Sequence, residues 1–166
     1  VEREELERVD SEAAMRAMRV LALVLTTTNR RLRDRATRAL VYLGERQPRI
    51  LFDLTVKFLG FNDPYVPERM LAAAYGACQR RWATDVGNLE FIDALVLFGA
   101  NLLDLLLRPM AQYGTWHVLT RGYALGILDI LLRLRPRALT RSDRELVIRR
   151  SGHAKSPFRP VSRIRR

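Results

Sequence analysis

One cysteine, two histidines and two lysines are all that the 166 residues hold of these types. Cys78 alone can form no internal disulfide, which fits a reducing compartment and a cytoplasmic location. Cys78, His117 and His153 lie in different regions and fall short of a structural zinc set. The chain has neither the spaced glycines and Lys-Ser/Thr of a phosphate loop nor a dinucleotide fingerprint. It shows no serine elbow and no recognisable Cys/His catalytic motif. Catalytic residues, metal ligands and cofactors are therefore all expected to be none. The longest apolar region, 89–107, is interrupted by Glu90, Asp93, Asn101 and Asp104. A spanning helix needs about 20 mostly apolar residues, so a buried helix is expected there and no membrane partner. Residues 1–10 are too highly charged for a secretory leader. The start at Val1, without a methionine, fits a fragment or a trimmed chain.

Charge is plentiful but unevenly placed. The net charge is +11, and arginine outnumbers lysine 27 to 2. Residues 133–166 hold twelve basic and two acidic side chains, while the rest of the chain is close to neutral. Coding bias from a GC-rich genome accounts for the arginine excess more simply than selection for bidentate contacts does. Two units follow: an α-helical repeat domain over 1–150 and a basic, extended or disordered tail over 151–166. Arg149 and Arg150, just before the tail, and Lys155, Arg159, Arg163, Arg165 and Arg166 within it are candidate contacts for an anionic partner. Nucleic acid is one such partner, because neutralised phosphates release counterions. Phe158 is the only aromatic side chain there, so a stacking platform is missing.

Helical periodicity and punctuation predict about seven helices. The first covers 11–25, its apolar stripe formed by Met15, Met18, Leu21, Ala22 and Leu25. The second covers 30–43 under an Asn29 cap, with Leu32, Ala36, Ala39, Leu40 and Leu43 facing inward and Gly44 as the stop. Pro48 starts the third, which buries Ile50, Leu51, Leu54, Phe58 and Leu59 and ends at Gly60. Asp63 caps the fourth, with Pro64 in its first position. The fifth, over 89–108, is apolar on most sides and belongs at the centre, with Pro109 stopping or kinking it. The sixth covers 115–135 and the seventh 142–150.

A device recurs 34 residues apart. Asn29 and Asp63 are capping residues, and Leu32 and Val66 follow three places on. Asp34-Arg35 and Glu68-Arg69 come next, followed by small residues. Adjacent helical residues do not face one another, so neither pair is an internal salt bridge. Their repetition predicts that one member of each reaches the neighbouring repeat. A degraded third copy keeps Arg121 and Ala124 but has Gly122 where the acid stood. Asn29, Asp34, Arg35, Asp63, Glu68, Arg69 and Arg121 are thus read as inter-repeat structural residues. A period of this size predicts an all-α, HEAT/TPR-like α-solenoid of antiparallel helix pairs. Within it, His117 is read as bonding backbone at a helix start, Cys78 as a small buried apolar residue, and Gly122 and Gly126 as close-packing positions.

The stretch Thr27-Thr-Asn-Arg-Arg-Leu-Arg-Asp-Arg-Ala-Thr-Arg-Ala-Leu-Val41, followed by Asn62-Asp-Pro-Tyr-Val-Pro-Glu-Arg-Met-Leu-Ala-Ala-Ala-Tyr-Gly76, resembles the C-terminal helical-repeat region of large bacterial STAND/NACHT-type ATPases. Proteins of the AVAST anti-phage defence group are among them. His117-Val-Leu-Thr-Arg-Gly-Tyr-Ala124 resembles the family's following segment, where an acid usually stands at the position of Gly122. The resemblance implies a sensor arm that binds a foreign protein, such as a phage protein. A separate ATPase module of the same longer chain would respond. It carries no catalytic residue over. Two alternatives stand beside it. One is a HEAT-like DNA-binding protein or DNA-repair glycosylase, built around Trp82, Trp116 and Asp85. The other is a purely structural scaffold.

Overall fold

From the second helix onward, each helix begins where a side chain or a proline relieves its unbonded first-turn amides. The computed structural model describes residues 11–85 and 87–151 and contains seven helices among them. These are α1 (Ser11–Val24), α2 (Arg30–Arg46), α3 (Pro48–Phe58), α4 (Tyr65–Thr84), α5 (Leu89–Leu102), α6 (Val118–Leu134) and α7 (Arg141–Ser151). Asn29 Oδ1 accepts from the amides of Arg31 and Leu32, at 3.0 and 3.3 Å. Pro48 sits in the first turn of α3, where its missing N–H costs nothing. Asn88 caps α5 by accepting from Phe91 N at 2.8 Å. His117 caps α6, its ring nitrogen facing Thr120 N.

The helices form two rows. In one row α2 packs along α4 and α4 along α6; in the other α1 packs along α3 and α3 along α5. Helix α7 packs on α6. Successive pairs α1/α2, α3/α4 and α5/α6 are the repeating units, and α2 also packs on α3. The result is an all-α, seven-helix stack of the HEAT/TPR-like α-solenoid kind. Its core runs continuously through Met18, Leu40, Phe52, Met70, Phe91, Leu95, Phe98, Leu107, Leu128 and Leu131. Phe52 stacks on Phe98 with ring centroids 4.5 Å apart, tying α3 to α5.

Several expectations need correcting. Gly44 does not stop α2; it is buried inside a helix that runs on to Arg46. A Cβ there would lie 2.1 Å from Leu51 Cδ2, so the glycine lets α3 close on α2. Leu32 is exposed, not part of the buried stripe. Helix α4 starts at Tyr65, so Pro64 precedes it. Asp63 still accepts from Tyr65 N at 2.9 Å, from just outside the helix. Helix α6 starts at Val118, three residues later than expected. Gly126 meets the Tyr75 ring, 2.6 Å from where a Cβ would stand, whereas Gly122 has open space.

The central helix also changes character. After Leu102 the backbone widens into a π-helical turn over Leu103–Leu107, closed by Arg108 N bonding Leu103 O at 2.8 Å. Pro109 forces the residue before it out of helical angles, and Arg108 has ψ 156°. Met110 follows at φ 62° and is fully exposed. A long connection then leads to α6, which breaks the 34-residue period after the second unit.

Candidate interaction surface

Helices α2, α4 and α6 run parallel, as their cross-helix partners show. Near the start of α2 and α4, Arg69 Nη1 donates to Asp34 Oδ1 at 2.8 Å. Near their ends, Arg80 Nε donates to Glu45 Oε2 at 2.6 Å, and Arg81 Nε to the Glu45 backbone oxygen at 2.6 Å. Between them Gly76 meets Val41. Across α4 and α6 the order is the same: Glu68 with His117, Tyr75 with Tyr123 and Gly126, Trp82 with Arg133. Partners are 35 or 36 residues apart across α2 and α4, and about 50 across α4 and α6, where the longer connection intervenes.

The two acid–arginine pairs act on opposite flanks of their helices. Asp34 looks forward to α4, and Arg69 looks back from α4 to Asp34. Glu68 repeats the forward role: it is buried, with Oε2 3.7 Å from His117 Nε2. Arg35, in the backward position on α2, is exposed. Arg30 approaches Asp34 at 3.8 Å, and Arg38 Nε reaches the Asp34 backbone oxygen at 3.4 Å. Arg121 lies half-buried on α6, its guanidinium carbon 5.8 Å from the Trp116 ring centroid. Glu45, Arg80 and Arg81 went unnoticed in the sequence, although Glu45 and Arg80 share the 35-residue separation of Asp34 and Arg69.

Parallel running brings the N-termini of α2, α4 and α6 to one edge, where exposed apolar side chains collect. Phe61 and Tyr65 flank the start of α4, and Trp116, Val118 and Leu119 that of α6. Trp116 is 90% exposed. Cations accompany the rings: the Arg33 guanidinium lies 5.1 Å from the Tyr65 centroid, and Arg33 Nη1 is anchored on Thr27 O at 2.7 Å. Burial raises the Tyr123 phenol above its ordinary value, and the Glu68 charge adds to this. Tyr123 and the Cys78 thiol, which burial also pushes up, stay protonated at neutral pH.

The residues of the repair-enzyme reading are not brought together. Trp82 packs under Arg133 near the end of α6, while Trp116 precedes its start, roughly 25 Å away along the helix. Asp85 is engaged by Arg81 and Asn88, each at 3.3 Å. Of the candidate anion contacts, Arg149 and Arg150 lie in the last turn of α7. Lys155, Arg159, Arg163, Arg165 and Arg166 lie outside the described residues, as does all of the tail beyond Ser151. Among the described residues, no group of three His, Cys, Asp or Glu side chains could hold a metal ion, and no helix is long and apolar enough to cross a membrane. A comparison with family models, curated proteins and solved structures finds no match.

Proposed function

We propose that the chain is a non-enzymatic protein-recognition module that binds through the N-terminal edge of α2, α4 and α6. The carrying observation is the row of exposed Phe61, Tyr65, Trp116, Val118 and Leu119 beside Arg33 and Arg121. Grouped exposed apolar side chains mark interaction sites, and Trp, Tyr and Arg are the types that dominate binding energy. A stack fixed by repeated joints presents such a row rigidly, so little ordering cost is left for binding.

The resemblance at 27–41, 62–76 and 117–124 supports a more specific reading. The module is part of the sensor arm of a STAND/NACHT-type defence ATPase, its ligand is a phage protein, and it acts in the cytoplasm. Binding would be passed along the stack to an ATPase module of the same longer chain. The test is binding to a panel of purified phage structural proteins. The intact chain is expected to bind one of them, and Tyr65→Ala with Trp116→Ala to weaken that binding at least about tenfold without loss of helicity. A folded, intact chain that binds no member of the panel would contradict the reading. An in-frame phosphate-binding loop in the upstream coding sequence is also expected.

A further inference from the structure

The N-terminal edge of α2, α4 and α6 is built from the inside of the stack. Its rings stand on the connections 59–64 and 108–117 and on the helix starts beside them, each flanked by described helices. Tyr113 locks the two connections together. Its ring lies 2.8 Å from where a Gly60 Cβ would stand, and its amide donates to Leu105 O at 2.8 Å. Phe61 stacks on Phe58 with ring centroids 5.6 Å apart. The exposed apolar side chains are thus carried on backbone that packing already holds in place.

The charges around these rings are lopsided. Asp34 is taken by Arg69, Asp63 by the amide of Tyr65 and Asp104 by Arg108, and buried Glu68 faces His117. Half-buried Arg33 and Arg121, and exposed Arg31 and Lys57, are paired with no carboxylate among the described residues. Arg33 and Arg121 each have a buried Nε without a hydrogen-bond partner. A part-buried guanidinium short of acceptors has lost hydration without replacement, and a carboxylate on its outer nitrogens restores what was lost. Each of the two also lies over a ring, Tyr65 or Trp116, so an acid bonded there brings its neighbours onto an exposed aromatic. We infer, on the premise that this edge is the recognition surface, that it takes an acidic segment carrying aromatic or aliphatic side chains. Arg33 and Arg121 stand on α2 and α6, with α4 between them. Packed helices lie about 8–10 Å apart, which sets the two guanidinium groups roughly 16–20 Å apart. An extended chain rises about 3.3 Å per residue, so its two acids fall about five or six residues apart. The apolar side chains between them land on Phe61 and Tyr65.

The probe is a library of random peptides displayed on yeast, long enough at about 16 residues to span that distance, selected against the labelled full chain. Enriched peptides are expected to gain Asp or Glu together with aromatic or aliphatic residues. They should bind the chain with Tyr65→Ala and Trp116→Ala at least about tenfold more weakly. Arg33→Glu with Arg121→Glu should also weaken them about tenfold, and selection against that variant should enrich Lys or Arg instead. Arg33→Gln with Arg121→Gln tests the same loss if glutamate disturbs the anchor of Arg33 on Thr27 O, and circular dichroism reports the fold of each variant. Arg135→Glu with Arg137→Glu makes the same change in net charge on exposed residues beyond α6, and should leave binding within about twofold. Enrichment without acids, equal binding to the Arg33→Glu, Arg121→Glu chain, or an equal loss from the Arg135, Arg137 pair overturns the inference and leaves the recognition edge standing. Failure to enrich any peptide that depends on Tyr65 and Trp116 overturns both. Tighter binding to phosphatidylserine vesicles, dependent on Arg33 and Arg121, would give the edge to a lipid surface and overturn the inference as well.

Discussion

Helices α2 and α4 carry the same device, yet one is closed and the other half open. Both begin under a capping side chain, both place an aliphatic residue three positions later, and both set an acid beside an arginine. On α4 the aliphatic residue is sealed and the arginine is bonded to Asp34 of α2. On α2 the equivalent residues face outward. Burial here is therefore set by the neighbour a helix receives and not by its own sequence, as expected of a quasi-one-dimensional stack whose stability sums over interfaces. The comparison also separates the two halves of the device: the acid looks forward and the arginine looks back.

Substitutions in register can break or sharpen this contrast. The largest difference is expected at Leu51 and Ala17. Leu51→Ala should cost about 2–5 kcal/mol in chemical denaturation, because it empties a fully buried site against Gly44. Ala17→Leu, on an exposed position, should change stability by no more than about 0.5 kcal/mol. Next come Val66 and Leu32. Val66→Ala should cost about 1.5–3 kcal/mol, and Leu32→Ala about 0.5 or less, although leucine loses more atoms. Equal costs within either pair would show that the open face is covered in solution.

The far end of the stack gives a smaller effect with a pH signature. Thr140 Oγ1 accepts from Asp143 N at 3.2 Å and donates to Asp143 Oδ2 at 2.7 Å, capping α7. Arg108 Nη2 reaches Asp143 Oδ1 at 2.9 Å, again across 35 residues. The Thr140 hydroxyl first, and Arg108 after it, hold the Asp143 carboxyl below its ordinary value. A carboxyl depressed on folding stabilises the fold fully above the unfolded value of about 3.9, and that stability is lost as pH falls through the folded value. Thr140→Ala should cost about 1 kcal/mol at neutral pH. The gap between variant and parent should narrow below about pH 4, read as thermal midpoints across pH.

Much of this architecture is legible in the chain because local chemistry announces it. Asn29, Pro48 and the 34-residue recurrence are local signals, and they place helix starts and the stacking period. What needs three dimensions was not legible. Gly44 reads as a stop, because sequence does not reveal that Leu51 comes within 2.1 Å of a Cβ there. Leu32 reads as buried, because periodicity reports an apolar position but not whether a neighbour covers it. The π turn at Leu103–Leu107 is hidden in a run of leucines whose spacing fits either winding. The exposed edge with Tyr65 and Trp116 was missed because its residues come from two helix starts more than fifty positions apart.

The joint between repeats is tested most directly by double-mutant cycles on Asp34, run once with Arg69 and once with Arg35. The Asp34–Arg69 pair is part-buried, and its coupling is expected at about 0.5–1 kcal/mol; Asp34–Arg35 should couple by less than about 0.3 kcal/mol. No coupling between Asp34 and Arg69, or an equal coupling to its sequence neighbour, would contradict the forward-and-back joint on which the stack is built.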